Sequence, residues 1–474
     1  MTISTSDAFV IGRHDAHDQA QLVRDGELSA SDLVEAARIR IEVLNPHLNA
    51  VTWLDFEAAF QRAQHLSTAN HALSAVPYLL KDGMDYPGMP SFCGSRARAA
   101  AAPQVLGSAY TDRLDAAGLI ALGKSNAPEF ALLPTTEPLL HGATRNPWNL
   151  ERSAGGSSGG AAAAVASGMV AIAHVADGGG SIRIPASCCG LFGMKPGRGT
   201  NVRARQMHII EDLLTADAMI GRSVRDVAHM FRATHPNPVA AKACGVSASK
   251  RSLRIALIMD NLLGEPPDPE VGAVVRKTAD LCADLGHHIL PMSLPVDGQD
   301  VVTCFRTIWG CLAADIVAQC RNLHGTDALP ELLEPWTLEL AQWGNQLSSD
   351  DIAAMYHQVT RVSDAMITLY RDVDAVLSPV LPIPPVPLGA LAPTQPFTML
   401  MRDMFDYVSY TPLHNIAGIP AMSVPLFRSA QGLPVGSMFA ASAGGETLLL
   451  DLALQLERAS PWAQRWPMTA VVDA

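Results

Sequence analysis

The chain has 474 residues, 48% of them hydrophobic and 17% charged, and a formal net charge of −12. That length and apolar content exclude a disordered chain and supply enough side chains for a large core. The negative balance repels phosphate backbones and no block of Lys or Arg offsets it locally, so nucleic acid is not an expected partner. The eight cysteines form neither a C-x-x-C pair nor a regular disulfide spacing, which points to reduced thiols and a cytoplasmic setting.

The opening stretch, MTISTSDAFVIGRHDAHDQ, carries acidic and polar residues where a signal peptide needs a basic start and an unbroken apolar run. Residues from about 15 to 45 read as two amphipathic helices. The second follows Ser29, with Asp32 as its capping partner, and is expected to end before Asn45 and Pro46. From Val76 to Gly199 the chain is rich in Gly, Ser, Ala and Pro, with β-like runs such as Gly118 to Gly123. The longest apolar stretch, Ala161 to Ala176, is mostly alanine and is interrupted by Ser167, Gly168 and His174. It reads as a buried helix, too weak to span a bilayer, and no membrane contact is expected.

Leu253 to Met259, a helical stretch from Pro269 to Leu285, and the following HHILPMSL read as strand, helix, strand, which implies parallel strands. Residues 300–370 read as helical, a lid or a wall of the substrate site, and Val373 to Gly389 run from a strand into an extended proline-rich loop. Another strand is expected over Ala421 to Leu426. There is no internal repeat and no low-complexity linker. The reading is one α/β domain, with helices in residues 1–70 and a glycine-rich core over 71–230.

The chemistry concentrates in two glycine-embedded serine sites: GGSSGG, Gly155 to Gly160, and DGGGSIR, Asp177 to Arg183. Glycines beside a serine let its hydroxyl be exposed and let a substrate approach. The N–H groups of Gly178, Gly179, Gly180 and Ser181 are candidate donors to a tetrahedral oxyanion. A serine hydroxyl needs a neighbouring base. Lys81, in VPYLLKDG at the end of an apolar run, is the candidate, because an apolar setting favours the free amine. Lys and Arg total 34 and only six are lysine, which makes a lysine in this setting less easily explained as surface decoration.

VPYLLKD, GKSNAPEF, GATRNPWN, AGGSSGGAAAAVASG and DGGGSIRIPASCCGLFGMKP, with GRSVRD, HNIAGIPAMSVP and GLPVG further on, together resemble the amidase signature family in order and spacing. Within it they are most similar to the branch of the 6-aminohexanoate cyclic dimer hydrolases. The resemblance implies a single domain, a mixed β-sheet covered by helices on both faces, and a Ser, cis-Ser, Lys triad. By motif position Ser181 is the nucleophile, Ser157 the bridging serine on a cis peptide, and Lys81 the base. It also implies hydrolysis of a carbon–nitrogen bond in a small to medium aliphatic or aryl amide through an acyl-enzyme, with esters and carbamates within the same chemistry, and no cofactor. The family usually carries a threonine or another side chain where this chain has Gly178.

Ser158, Asp177 and Arg183 are expected to support the loop, since a buried charge needs a partner. Trp309, Phe397, Met401 and Phe405 are candidates for an apolar substrate pocket. Cys188 and Cys189 lie in an apolar run and read as core. The fifteen histidines show no metal-ligand spacing, so no metal is expected. Two other readings stay open. Gly155 to Gly159 also satisfies G-x-S-x-G, which would make Ser157 the nucleophile of an α/β-hydrolase-type esterase with His414 as its histidine. Alternatively the chain is the amidase subunit of a tRNA-dependent amidotransferase rather than a free-standing monomer or homodimer.

Overall fold

A computed structural model describes residues 3–66, 71–202, 204, 209–243 and 251–467. Its strands are β1 (Val51–Leu54), β2 (Pro77–Lys81), β3 (Ile120–Ser125), β4 (Arg145–Asn146), β5 (Asn149–Ser153), β6 (Ile172–Asp177) and β7 (Phe192–Lys195). They continue with β8 (Ala216–Gly221), β9 (Arg254–Leu257), β10 (His288–Pro291), β11 (Ala375–Pro379), β12 (Ala421–Arg428) and β13 (Pro434–Ala440). Eleven of them form one sheet in the order β1-β3-β2-β6-β8-β7-β12-β13-β11-β9-β10, and β4 and β5 pair separately.

The sheet is mixed. β3, β2 and β6 are mutually parallel, as are β11, β9 and β10, while β8, β7, β12 and β13 join these blocks by antiparallel pairing. Alternate residues of single strands enter different apolar clusters. Met438 and Ala440 of β13 pack on one face and Phe439 on the other, and Val376 of β11 faces away from Ala375 and Leu377. That is the period of two expected of strands buried on both faces. Helices Ala30–Leu48, Gly159–Ser167 and Gly298–His324 contribute to the first cluster, and Val224–Thr234, Pro269–Asp284 and Glu446–Ala459 to the second.

The second N-terminal helix starts as expected, with Ser29 and Asp32 forming a reciprocal capping box. It does not stop before Asn45 and Pro46 but runs to Leu48 and ends on Asn49 in the left-handed region. Pro46 lies in the last turn of this helix, and beyond it Asn45 Oδ1 holds the exit by accepting from the N–H groups of Ala50 and Val51 at 2.8 and 2.9 Å. The run from Ala161 to Ala176 is likewise not one helix. Gly168, at φ 84°, closes helix Gly159–Ser167, and the chain resumes as β6. The run is buried throughout, as read, but its second half is a central strand beside β2.

Residues 300–370 are helical, with helices Gly298–His324, Leu329–Leu332, Pro335–Gly344 and Ser349–Asp372. The first is long and apolar enough to cross a membrane by length and composition, and half of its apolar window is buried against its neighbours in the molecule. The strand, helix, strand unit appears as β9, helix Pro269–Asp284 and β10, with β9 and β10 parallel.

Candidate active site

The site forms where the parallel strands β2 and β6 part. Their pairing runs through Tyr78 and Leu79 against Ile172 and Ala173, and beyond it side chains fill the gap. Lys81, the last residue of β2, is 4% exposed. Its Nζ donates to Ser157 Oγ at 2.7 Å and lies 3.5 Å from the Ala176 carbonyl of β6. Ser157 follows a cis Gly156–Ser157 peptide bond. Next to it, Ser158 Oγ donates to the Ala176 carbonyl at 3.3 Å and accepts from the Ala176 N–H at 3.4 Å. Both serines and the lysine are therefore tied to the end of β6, from which the loop bearing Ser181 departs.

Asp177, the last residue of β6, organises that loop. Its carboxylate accepts from the N–H groups of Gly180 at 2.7 Å and Ile182 at 3.2 Å, from Arg183 Nε and Nη2 at 2.9 Å each, and from Asn415 Nδ2 at 2.9 Å. Asp177 and Arg183 are both fully buried. Burial opposes ionisation of Asp177, but the Arg183 guanidinium overrides it and holds the carboxyl well below the usual range. Arg183 also donates to the Thr411 carbonyl at 2.9 Å and to Asn415 Oδ1 at 2.6 Å, and Thr411 Oγ1 donates to the Gly179 carbonyl at 2.6 Å. The expected supporting roles of Asp177, Arg183 and Ser158 thus have a geometry. Thr411 and Asn415 complete the clamp; Asn415 lies in the HNIAGIP segment noted in the sequence, and Thr411 three residues before that segment begins.

One correction concerns the oxyanion donors. The Gly180 N–H is donated to Asp177, which leaves Gly178, Gly179 and Ser181 for a ligand. Gly180 is nonetheless demanded as glycine: it sits at φ 138°, and a Cβ there would lie 2.4 Å from Thr411 Oγ1. A Cβ on Gly179 would lie 2.4 Å from Phe305 Cζ, whereas one on Gly178 would make only ordinary contact with Thr215 and Trp309. A side chain at position 178 is therefore sterically admissible, and nothing in the packing explains the glycine there.

Ser181, 9% exposed, lines a small, partly open pocket. The rest of its lining is apolar side chain or backbone: Ala131 to Pro134, Gly179, Ile184, Phe305, Trp309, Met404 and Val408. Trp309 lies there as anticipated. Phe397, Met401 and Phe405 do not line it. Helix Phe397–Tyr407 presents Met404 to the cavity, with Val408 one turn on, while Phe397 stacks on Trp336 at 5.6 Å and Phe405 packs edge-on to Phe305 at 5.8 Å. The right helix was chosen and the wrong face of it. Phe305, four residues before Trp309 and 4.8 Å from it ring to ring, was within reach of the same helical spacing.

The amidase family profile matches residues 32–450. The chain belongs to the amidase signature family. Putative amidase AmiC of Mycobacterium tuberculosis is 37% identical over 468 residues, covering 96% of this chain and 97% of that protein. The 6-aminohexanoate-cyclic-dimer hydrolase of a Pseudomonas species is 33% identical, with 96% of each chain covered. A solved structure of 6-aminohexanoate cyclic dimer hydrolase superposes with a TM-score of 0.90 at 31% identity, covering 97% of this chain and 99% of that one. The fold expected from the resemblance is therefore the fold observed, and the activity of this amidase is hydrolysis of carbon–nitrogen bonds.

In this amidase three of the six lysines are buried together around the site, Lys124 and Lys195 as well as Lys81. Burial pushes Lys195 down to about 7 and Lys124 down to about 8. Lys195 Nζ donates to the Pro196 carbonyl at 2.7 Å and Lys124 Nζ to that of Met84. Cys188 and Cys189 are fully buried, with thiols pushed up by burial, Cys188 to about 12. His414 stands 3.4 Å from Arg183 Nη1 and is pushed down to about 3 by burial, Arg183 and Lys195. It belongs to the clamp beneath the Ser181 loop, which removes the histidine that the α/β-hydrolase reading required.

Proposed function

We propose that this amidase cleaves small to medium uncharged aliphatic or aryl amides through an acyl-enzyme on Ser181, with Lys81 as the base and Ser157 as the bridge between them. The observation that carries the reading is the 2.7 Å contact between Lys81 Nζ and Ser157 Oγ, within reach of direct proton transfer. In the acylation step Ser181 Oγ bonds to the carbonyl carbon while its proton passes to Ser157, whose own proton passes to Lys81. The oxyanion so formed is stabilised by N–H groups of the Gly178, Gly179 and Ser181 loop. Collapse breaks the carbon–nitrogen bond, and the proton returns through Ser157 to the leaving nitrogen. Water then attacks the ester by the same relay. Esters and carbamates present the same carbonyl, and the reading extends to them.

The apolar cavity against Ser181 supports the substrate class, since a charged substituent there would be desolvated without a partner. The free cysteines among the described residues support a reducing, cytoplasmic setting, and the net charge of −12 supports a role without nucleic acid.

The test is covalent labelling by a fluorophosphonate followed by peptide mass spectrometry. The adduct is expected on Ser181 and absent in Ser181→Ala. An adduct on Ser157 would overturn the assignment of the nucleophile. Lys81→Ala is expected to lower kcat by roughly 10²- to 10⁴-fold, the range for loss of a general base. Full activity of that variant on an amide panel would end the lysine reading, and hydrolysis appearing only with added partner subunits would favour the amidotransferase alternative.

A further inference from the structure

Where β2 parts from β6, a side chain links the two strands. Pairing between these strands ends at Leu79 and Ala173, and the Lys81 N–H lies just beyond that end. It is donated to His174 Nδ1 at 3.3 Å. The other ring nitrogen, His174 Nε2, lies 3.0 Å from Asp217 Oδ1. His174 is fully buried on β6, and Asp217, 6% exposed, is on β8, whose register sets it beside Ala176. The chain Asp217, His174, Lys81 thus crosses three neighbouring strands and ends on the backbone of the residue whose side chain meets Ser157.

The donor and acceptor roles fix the state of the ring. The Lys81 N–H can only donate, so Nδ1 is the bare acceptor, and the proton of the neutral ring is on Nε2, facing Asp217. A second proton on Nδ1 would set two donors against each other. Tyr110 packs its ring 5.5 Å from the imidazole and limits its rotation.

We propose that His174, oriented by Asp217, is a positioning residue for the catalytic lysine: it accepts the Lys81 N–H just past the end of the strand pairing and fixes the end of β2 so that Lys81 Nζ is held against Ser157. This rests on the reading of Lys81 as the base. His174 touches no reacting atom and acts through Lys81 alone. A purely structural histidine would affect folding without discriminating which ring nitrogen is replaced; a positioning histidine discriminates.

The experiment uses that discrimination. Asn places its amide oxygen near the position of Nδ1, and Gln places its own near Nε2. His174→Asn retains the acceptor for the Lys81 N–H and is expected to keep kcat within about threefold of the parent. His174→Gln and His174→Leu lose it and are expected to lose about tenfold or more in kcat per folded enzyme, with KM within about twofold, on the order of the loss from an imprecisely held catalytic group. Equal activity of the Asn and Gln variants, or a loss of activity that only tracks the folded fraction by circular dichroism, overturns the proposal. Asp217→Asn tests the same link from its far end. An amide there can donate to Nε2 and move the ring proton to Nδ1, so a severalfold fall in kcat is expected and an unchanged kcat counts against the relay. Failure of this inference is separable from failure of the mechanism. If Lys81→Ala is inactive while His174→Gln is fully active, only the positioning role falls; if Lys81→Ala is active, the triad reading itself falls.

Discussion

At the scale of single residues, the site is a set of serines and one lysine whose positions are dictated by groups that do no chemistry. Gly180 illustrates this. Its N–H is taken by Asp177, and its Cα faces Thr411 Oγ1 and Ile184 so closely that a methyl group would lie 2.4 and 2.6 Å from them. Gly180→Ala is therefore expected to displace the neighbouring N–H groups and slow fluorophosphonate labelling of Ser181 by roughly a hundredfold, as for loss of one oxyanion donor. Far-ultraviolet circular dichroism is expected to be unchanged, and a normal labelling rate would mean that the loop relaxes around the extra carbon. The proposed triad positions stand out in the sequence because glycine-flanked serines and a lysine in an apolar strand are local signals. Thr411 and Asn415 do not, because the groups they meet, Gly179 and Arg183 for Thr411 and Asp177 for Asn415, lie 228 to 238 residues earlier in the chain and neither residue type is unusual where it stands.

At the scale of elements, two walls meet over Ser181. Trp309, on helix Gly298–His324, donates its Nε1–H to the Leu132 carbonyl at 3.0 Å. That loop carries Phe130 and Ala131 at φ 48° and 61°, a conformation held only where the surroundings impose it. Trp309→Phe keeps an apolar face but leaves the carbonyl without its donor, which costs roughly 1–3 kcal/mol for a buried acceptor. A lower melting temperature and a severalfold higher KM for aryl amides are expected; an unchanged KM would detach the helix from substrate binding. Behind the same loop, Glu129 accepts from Ser95 Oγ at 2.7 Å, from the Glu334 N–H at 2.9 Å and from Thr337 Oγ1 at 2.6 Å, while Glu334 accepts from the Leu139 N–H at 2.7 Å.

Burial and the neighbouring Glu129 push Glu334 up to about 8. A carboxyl raised in the folded state favours folding most below its unfolded value, and that contribution is lost as pH rises toward the folded value. The parent protein is expected to lose stability between about pH 4.5 and pH 8 by this route, given the ordinary carboxyl value of 4.5 and the raised value of about 8. Glu334→Gln is expected to flatten that part of the melting-temperature profile, and parallel profiles for the two proteins would refute the link. None of this was readable beforehand. Helical content after residue 300 was evident from periodicity, but which face of a helix meets a cavity depends on neighbours that periodicity does not name, and so Met401 and Phe405 were chosen where Met404 and Val408 line the space.

At the scale of the whole molecule, composition and strand patterning were enough for a single α/β domain, and the motif order was enough for the family. The misread elements share a cause. Helix and strand were confused within Ala161 to Ala176 because small apolar residues satisfy both periods, and only Gly168, at φ 84°, divides them. β6 was hard to tell apart from helix because both of its faces are covered, which erases the alternation that marks a half-exposed strand.

The clamp on Asp177 also bears on how the protein comes into being. The loop that mounts Ser181 is fastened by Thr411, His414 and Asn415, contributed by a segment 228 to 232 residues beyond Arg183. On a ribosome, the lysine and both serines emerge long before the residues that arm them. A chain halted before Thr411 is expected to display Lys81, Ser157 and Ser181 and yet leave a fluorophosphonate untouched, so the growing polypeptide carries no active hydrolase until that segment has been made and has folded back onto the loop.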